Sequence, residues 1–232
     1  MDFEEIEKNK LPLMNKAMEE CDKRLQEFLR LLEKDLEKNP DKDKVLNIFK
    51  ENGVIFSGRY FTRLFSGEKV EKGHLIDVYF KNMEDWETFH HYVLKENTWI
   101  KIEGNDNVSF CLKTYLRFQH RVHENFNSLF YRNSSSFDDH AYSSKEGLFS
   151  FDLYTFDKKG FYQPKSDREV TLLNFLNILD KREKGWDIKI CEPEDFYSRL
   201  LNTTRHNVLT DIHSHTIAAV KYLTSLPFHP GS

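Results

Sequence analysis

A Ser-Gly step, Ser57-Gly58, lies between the apolar run Val54-Ile55-Phe56 and a stretch whose Tyr60, Phe61, Leu64 and Phe65 share one helical face. A helix that starts right after such a turn aims its first unbonded N–H groups and the positive end of its dipole at whatever occupies the turn, and a phosphate suits that place. Downstream, residues 75–80 alternate as a strand, with Leu75, Asp77 and Tyr79 on one face and Ile76, Val78 and Phe80 on the other. Asp77 is a hard oxygen donor that could hold Mg²⁺ against that phosphate. A second carboxylate, Asp152, interrupts the apolar run Phe149-Ser150-Phe151-Asp152-Leu153. An ionised group there is costly unless it is paired or metal-bound. Each aspartate also has a plainer reading: Asp77 as a capped or salt-bridged strand residue, Asp152 as a buried carboxylate satisfied by backbone donors.

The histidines invite other chemistry. Residues 211–216 spell Asp-x-His-x-His-Thr, a metal-ligating motif of the polymerase-and-histidinol-phosphatase hydrolases. That motif requires a strand, so that both imidazoles point one way. Here Val208, Ile212, Ala219 and Leu223 form a helical stripe instead, and on a helix His213 and His215 stand about 200° apart. A packed helix residue is the better reading of His215. His120 and His123 are three apart on an expected helix beside Glu124. They could pair as ligands, but the pattern fits no zinc-protease motif, and a solvated helix face is the favoured reading.

The elements that must position these residues follow from apolar spacing. Met14, Ala17 or Met18, Cys21, Leu25, Phe28, Leu32 and Leu36 recur at threes and fours, with Pro12 in the first turn and Asn39-Pro40 as the stop. This long amphipathic helix either packs across its own domain or is presented to a partner. A short helix at about 44–51 leads to the strand at 54–57 and the helix at 60–65. After the strand at 75–80, Asn82 caps a helix with Trp86, Phe89 and Val93 on its buried stripe. Residues 99–103 and 108–116 are expected to form a hairpin, and Phe118, Val122, Phe126 and Leu129 another helix. The Ser-rich stretch 133–147 reads as a loop and 148–156 as a strand. A helix at 170–184, a strand at 186–190 and helices from Pro193 to Leu201 and from Asn207 to Leu223 complete the chain. Interspersed strands and helices point to an α/β or α+β fold, a mixed sheet flanked by helices. The expected parts are an N-terminal helical segment (1–40), an α/β core (41–165) and a C-terminal helical part (166–232).

Composition narrows the function. In 232 residues, 39% hydrophobic and 31% charged is globular rather than disordered. The 20 Phe and 10 Tyr suit an aromatic core better than a base-stacking surface. A net charge of −4 disfavours bulk binding of nucleic acid. Cys21, Cys111 and Cys191 are far apart, which fits reduced thiols in a cytoplasmic protein rather than a disulfide or zinc framework. No apolar run approaches membrane-spanning length, and no secretory leader is expected from residues 1–10.

The stretches Phe56-Ser57-Gly58-Arg59-Tyr60-Phe61, Leu75-Ile76-Asp77-Val78-Tyr79-Phe80 and Phe151-Asp152-Leu153 together resemble the nucleotidyltransferase superfamily, most of all its divergent viral and phage-type members. The likeness covers roughly residues 45–165. It implies a turn that holds the phosphates of a nucleotide at Ser57, Gly58 and Arg59, and Mg²⁺ ligated by Asp77 and Asp152. In that family three carboxylates hold two metal ions that activate a hydroxyl and stabilise the leaving pyrophosphate. Here Leu75 stands at the first of the three and Arg59 at the second glycine of the turn. Leucine ligates no metal; arginine adds bulk, or could grip phosphate as a forked donor. The expectation is a degenerate, non-catalytic protein that requires no cofactor and acts on a protein partner, or a nucleotide, as an assembly or regulatory factor. An active enzyme modifying a protein, an RNA or a small molecule is the alternative, and a structural protein presenting its first helix the second alternative.

Overall fold

The computed structural model describes residues 6–71, 73–96, 100–103, 108–111, 113–130, 135–150, 153–166 and 170–210. The chain forms two compact units, Met1–Asn133 with Phe137–Asp157, and Ser134–Ser136 with Lys158–Ser232.

The first unit is built on a seven-stranded mixed sheet. Its strands are β1 (Val54–Ser57), β2 (Ile76–Phe80), β3 (Ile100–Glu103), β4 (Val108–Cys111), β5 (Leu116–Val122), β6 (His140–Ser143) and β7 (Gly147–Ser150), in the order β3-β4-β5-β2-β1-β6-β7. All neighbours are antiparallel except β2 and β5, which run parallel at the centre. The helix α1 (Leu11–Asp35) covers one face together with α2 (Lys42–Asn47, continued by a wider turn at Ile48–Asn52), α3 (Arg59–Phe65) and α4 (Met83–Glu96). The short α5 (Phe126–Phe130) joins Ile55, Ala141 and Tyr79 in a smaller cluster.

The spacing that makes α1 a helix also buries it. Ala17, Cys21, Phe28, Leu32 and Leu36 are fully enclosed in the core of this unit. The Phe28 ring lies 5.2 Å from Phe49 and 4.9 Å from Phe118, and Phe118 lies 4.8 Å from Phe89. The aromatic load thus goes into a ring-on-ring core, in the edge and tilted geometries that aromatic pairs prefer. Polar flanks fix the helix further. The Arg24 guanidinium donates to the carbonyls of His74 (2.6 Å) and Tyr115 (3.3 Å), and the Asp22 carboxylate accepts from the Tyr142 hydroxyl at 2.7 Å. At the start of α4, Asn82 Oδ1 accepts from the Asp85 N–H at 2.8 Å, the cap expected from sequence.

Several expectations are corrected. Phe118 and Val122 do not lie on a helix; residues Leu116–Val122 form β5, and only Phe126–Phe130 is helical. The core-facing alternation of Leu116 and Phe118 fits a strand as well as a helix, and pairing with β2 and β4 decides it. His120 and Arg121 form a bulge, because Tyr79 pairs with Gln119 but Phe80 with Val122. His120 and His123 are therefore not a helical i, i+3 pair. The stretch 133–147 is not one loop: His140–Ser143 is a buried strand. The strand expected at 148–156 is β7, ending at Ser150, with a 3₁₀ turn at Leu153–Asp157. The hairpin strand ends at Cys111, short of Leu116.

The second unit is a small β-α-β-α arrangement. Strands β8 (Lys159–Tyr162) and β9 (Asp187–Ile190) are parallel, joined through α6 (Leu172–Glu183), and α7 (Pro193–Thr210) follows without the break expected after Leu201. Thr171 caps α6, its hydroxyl accepting from the Asn174 N–H at 3.1 Å. Phe175, Ile178, Trp186, Ile188, Phe196 and Leu200 are buried. Among the described residues, no helix is long and apolar enough to cross a membrane.

Candidate functional site

Strand β1 carries Ser57 to a place directly opposite Asp77 of β2. The Ser57 hydroxyl is buried and donates to the His140 carbonyl at 2.6 Å, tying β1 to β6. Gly58 then turns the chain into α3 with φ 101° and ψ −172°, a backbone region that only glycine adopts without strain. A Cβ at this position would run into the Asp77 carboxylate. The tight turn and the strand carboxylate inferred from sequence are therefore brought together. Arg59 opens α3 with an exposed side chain. Asp152, the second proposed metal ligand, lies outside the described residues.

The surroundings of Asp77 set its chemistry. The residue is 6% exposed, and the adjacent parallel strand β5 presents Arg117 and Gln119 to it. Arg117 grips both oxygens in a fork, Nε to Oδ1 and Nη2 to Oδ2 at 2.8 Å, and Gln119 Nε2 donates to Oδ1 at 2.7 Å. Such a forked, charge-assisted pair is among the stronger polar contacts a protein makes. In return, the hydrogen bond to Asp77 raises the pKa of Arg117. A divalent cation at Asp77 would have to displace a guanidinium already bonded to the same two oxygens, and would meet its positive charge. Among the described residues no group of three or more His, Cys, Asp and Glu is arranged to hold a metal ion. Next along β2, the Tyr79 phenol is pushed up in pKa, first by burial and then by the Asp77 charge, so it stays protonated. Its ring meets His123 edge-on at 5.1 Å.

Sequence reasoning missed Arg117 and Gln119. Their signal was the alternation Arg117, Gln119, Arg121 against Leu116, Phe118, and it was read with the wrong period. It missed His140 as well, which sits inside a Ser-rich stretch with no local pattern. His140 is fully buried, with Nδ1 2.7 Å from the Ser150 hydroxyl and Nε2 3.0 Å from that of Thr155. Burial drives its pKa down to about 3. A general base works best with a pKa near the operating pH, so this imidazole is a poor activator of Ser150 at neutrality and acts as a neutral junction between strands.

An open cleft of about 580 Å³ lies between residues 39–45 and α4, lined by Asp41, Lys44, Glu87, Thr88, His91 and Tyr92. None of Ser57, Gly58, Arg59 or Asp77 lines it.

Gly58→Ala tests the tightness of the turn. The backbone strain alone is expected to remove about 1–3 kcal/mol, and the collision with Asp77 adds to it. Thermal unfolding should show a fall of several degrees, at about 2–4 °C per kcal/mol for a chain of this size. An unchanged melt would mean that the turn relaxes freely. No family model, curated protein or solved structure matches the chain.

Proposed function

We propose that the protein is a degenerate nucleotidyltransferase-like factor that binds without catalysing, and that it serves as an assembly or regulatory protein for a protein partner. The observation that carries this reading is the Asp77 carboxylate, forked to Arg117 and bonded to Gln119 beside the Ser57-Gly58 turn. In the enzymes that the sequence resembles, this carboxylate holds a metal; here a side-chain cation occupies the same oxygens. Leu75, at the position of the first of the family's three carboxylates, supports the same reading. A nucleotide remains a candidate ligand of the turn, through backbone N–H groups and the exposed Arg59, with no chemistry following. The free thiols of Cys21, Cys111 and Cys191 support a reducing, cytoplasmic setting.

Incubation with each labelled nucleoside triphosphate and Mg²⁺ or Mn²⁺ is expected to give no transfer of label to the protein, to RNA or to added acceptors. Transfer that disappears in Asp77→Ala would establish an active nucleotidyltransferase and overturn the proposal. The helix-presenting alternative is weakened by the burial of the α1 stripe in its own unit.

A further inference from the structure

Helix α4 and the segment 41–52 face each other across a groove. The cleft of about 580 Å³ described above adjoins one of about 210 Å³, and the two share Lys44 and Thr88. Glu51, Glu84 and Asp85 line the smaller cleft. Asp41 and Glu87 line the larger, beside the buried side chains of Val45 and Tyr92. Five carboxylates thus stand against one lysine. Among the described residues none of the five forms an ion pair with a Lys, Arg or His. Asp85 sharpens the imbalance. It is 8% exposed, and its oxygens accept only from neutral amides, Asn52 Nδ2 at 3.0 Å to each and Asn82 Nδ2 at 2.8 Å to Oδ2. A carboxylate so far out of water is ordinarily matched by a cation.

We infer that this groove is the docking site of an arginine-bearing peptide segment of a protein partner. Three observations select that occupant. The first is charge complementarity, a positive segment against a wall with a surplus of carboxylates. The second is the arrangement of the acids. Glu51, Glu84 and Asp85 are not grouped so as to hold a metal ion. A guanidinium instead presents five donors across a plane and can bond carboxylates that stand apart. The third is the mixed lining. A cleft of about 210 Å³ is below the range of roughly 300–1,000 Å³ for a drug-sized ligand and suits one long side chain. Val45 and Tyr92 then receive an apolar neighbour of the arginine, which a bare polyamine lacks. The inference deepens the partner-binding reading and rests on it only in taking the partner to be a protein. None of Ser57, Gly58, Arg59 or Asp77 lines either cleft, so peptide binding and label transfer can fail separately.

Fluorescence anisotropy on the full chain, with a fluorescein-labelled peptide of arginine, leucine and alanine, tests this. The peptide should bind, and more weakly as salt is raised. Joint Glu51→Gln and Glu84→Gln should weaken binding at least about tenfold. Both side chains are exposed, so the thermal melt should stay where it is. Lys44→Glu should strengthen binding about threefold or more, and Glu27→Gln, on the exposed side of α1, should leave it unchanged. A glutamine version of the peptide should not bind. Absence of binding by the arginine peptide at about 1 mM overturns the inference, as does equal binding by the doubly substituted protein. Displacement of the peptide by an equal concentration of spermidine also overturns it, since the groove would then take any polycation.

Discussion

Phe28→Ala lowers the unfolding free energy of the N-terminal unit by about 3–5 kcal/mol, the range for deleting a buried aromatic side chain. Phe28 is fully enclosed, and its ring touches those of Phe49, Phe89 and Phe118 at 5.2, 6.2 and 4.9 Å. These partners come from the turn after α2, from α4 and from β5, so the truncation empties a point where three elements meet. Packing on every side leaves the vacancy little room to collapse, which places the cost near the top of its range. Exposed Glu27, the adjacent residue, should tolerate Ala within about 0.5 kcal/mol. Urea unfolding of the two variants measures both quantities. Equal midpoints would show that α1 is an accessory to the fold and restore the reading in which it is presented to a partner. On the geometry described, removing residues 1–40 would unfold the unit rather than trim it.

Acid is expected to destabilise the protein through His140 well before its carboxylates titrate. Buried and neutral in the folded state, this imidazole has its pKa held at about 3, against 6.5 when unfolded. Between those values the unfolded chain binds the extra proton, so stability rises with pH across that window. The contribution is complete above about pH 6.5 and is lost as pH falls toward 3. The slope is about 1.4 kcal/mol per pH unit, or roughly 3–5 kcal/mol over the whole range. His90, whose pKa is lowered first by burial and then by His120, acts in the same direction. Urea midpoints at pH 7 and pH 4.5 should fall steeply in the wild type. The fall should be shallower in His140→Gln, which keeps hydrogen-bonding groups near Ser150 and Thr155 but cannot take up a proton. Parallel pH dependence in the two proteins would remove His140 as the cause.

The sequence reading succeeded where one local rule governed a segment. The stripe of α1, the Asn82 cap, the brief strand before Gly58 and the alternation around Asp77 each leave a periodic or capping signature within a few residues. It failed where partners decide. Leu116–Val122 has apolar positions compatible with either period, and pairing with β2 and β4 makes it a strand. Residues 140–143 look polar, yet His140 is buried there with its ring bonded to Ser150 and Thr155 and its carbonyl accepting from Ser57. The candidate site divides along the same line. Ser57, Gly58 and Asp77 could be placed together from their spacing, but the state of Asp77 depends on Arg117, which is 40 residues away. A carboxylate inside a strand announces that something must neutralise it, without saying whether that is a metal or an arginine.

The strand order of the sheet has a consequence for how the chain can fold as it is made. Strand β1 lies inside the sheet, yet one of its neighbours is β6, and the Ser57–His140 bond that joins them spans 83 residues. Tyr142 reaches back to Asp22 across 120. Long loops of this kind must be closed before their contacts repay the lost chain entropy, which makes for slow folding. At a synthesis rate of about 5–20 residues per second, α1 and β1 emerge several seconds ahead of β6 and wait with their apolar stripes uncovered. The nascent N-terminal half is thus the stage at which the most apolar surface waits for its partners.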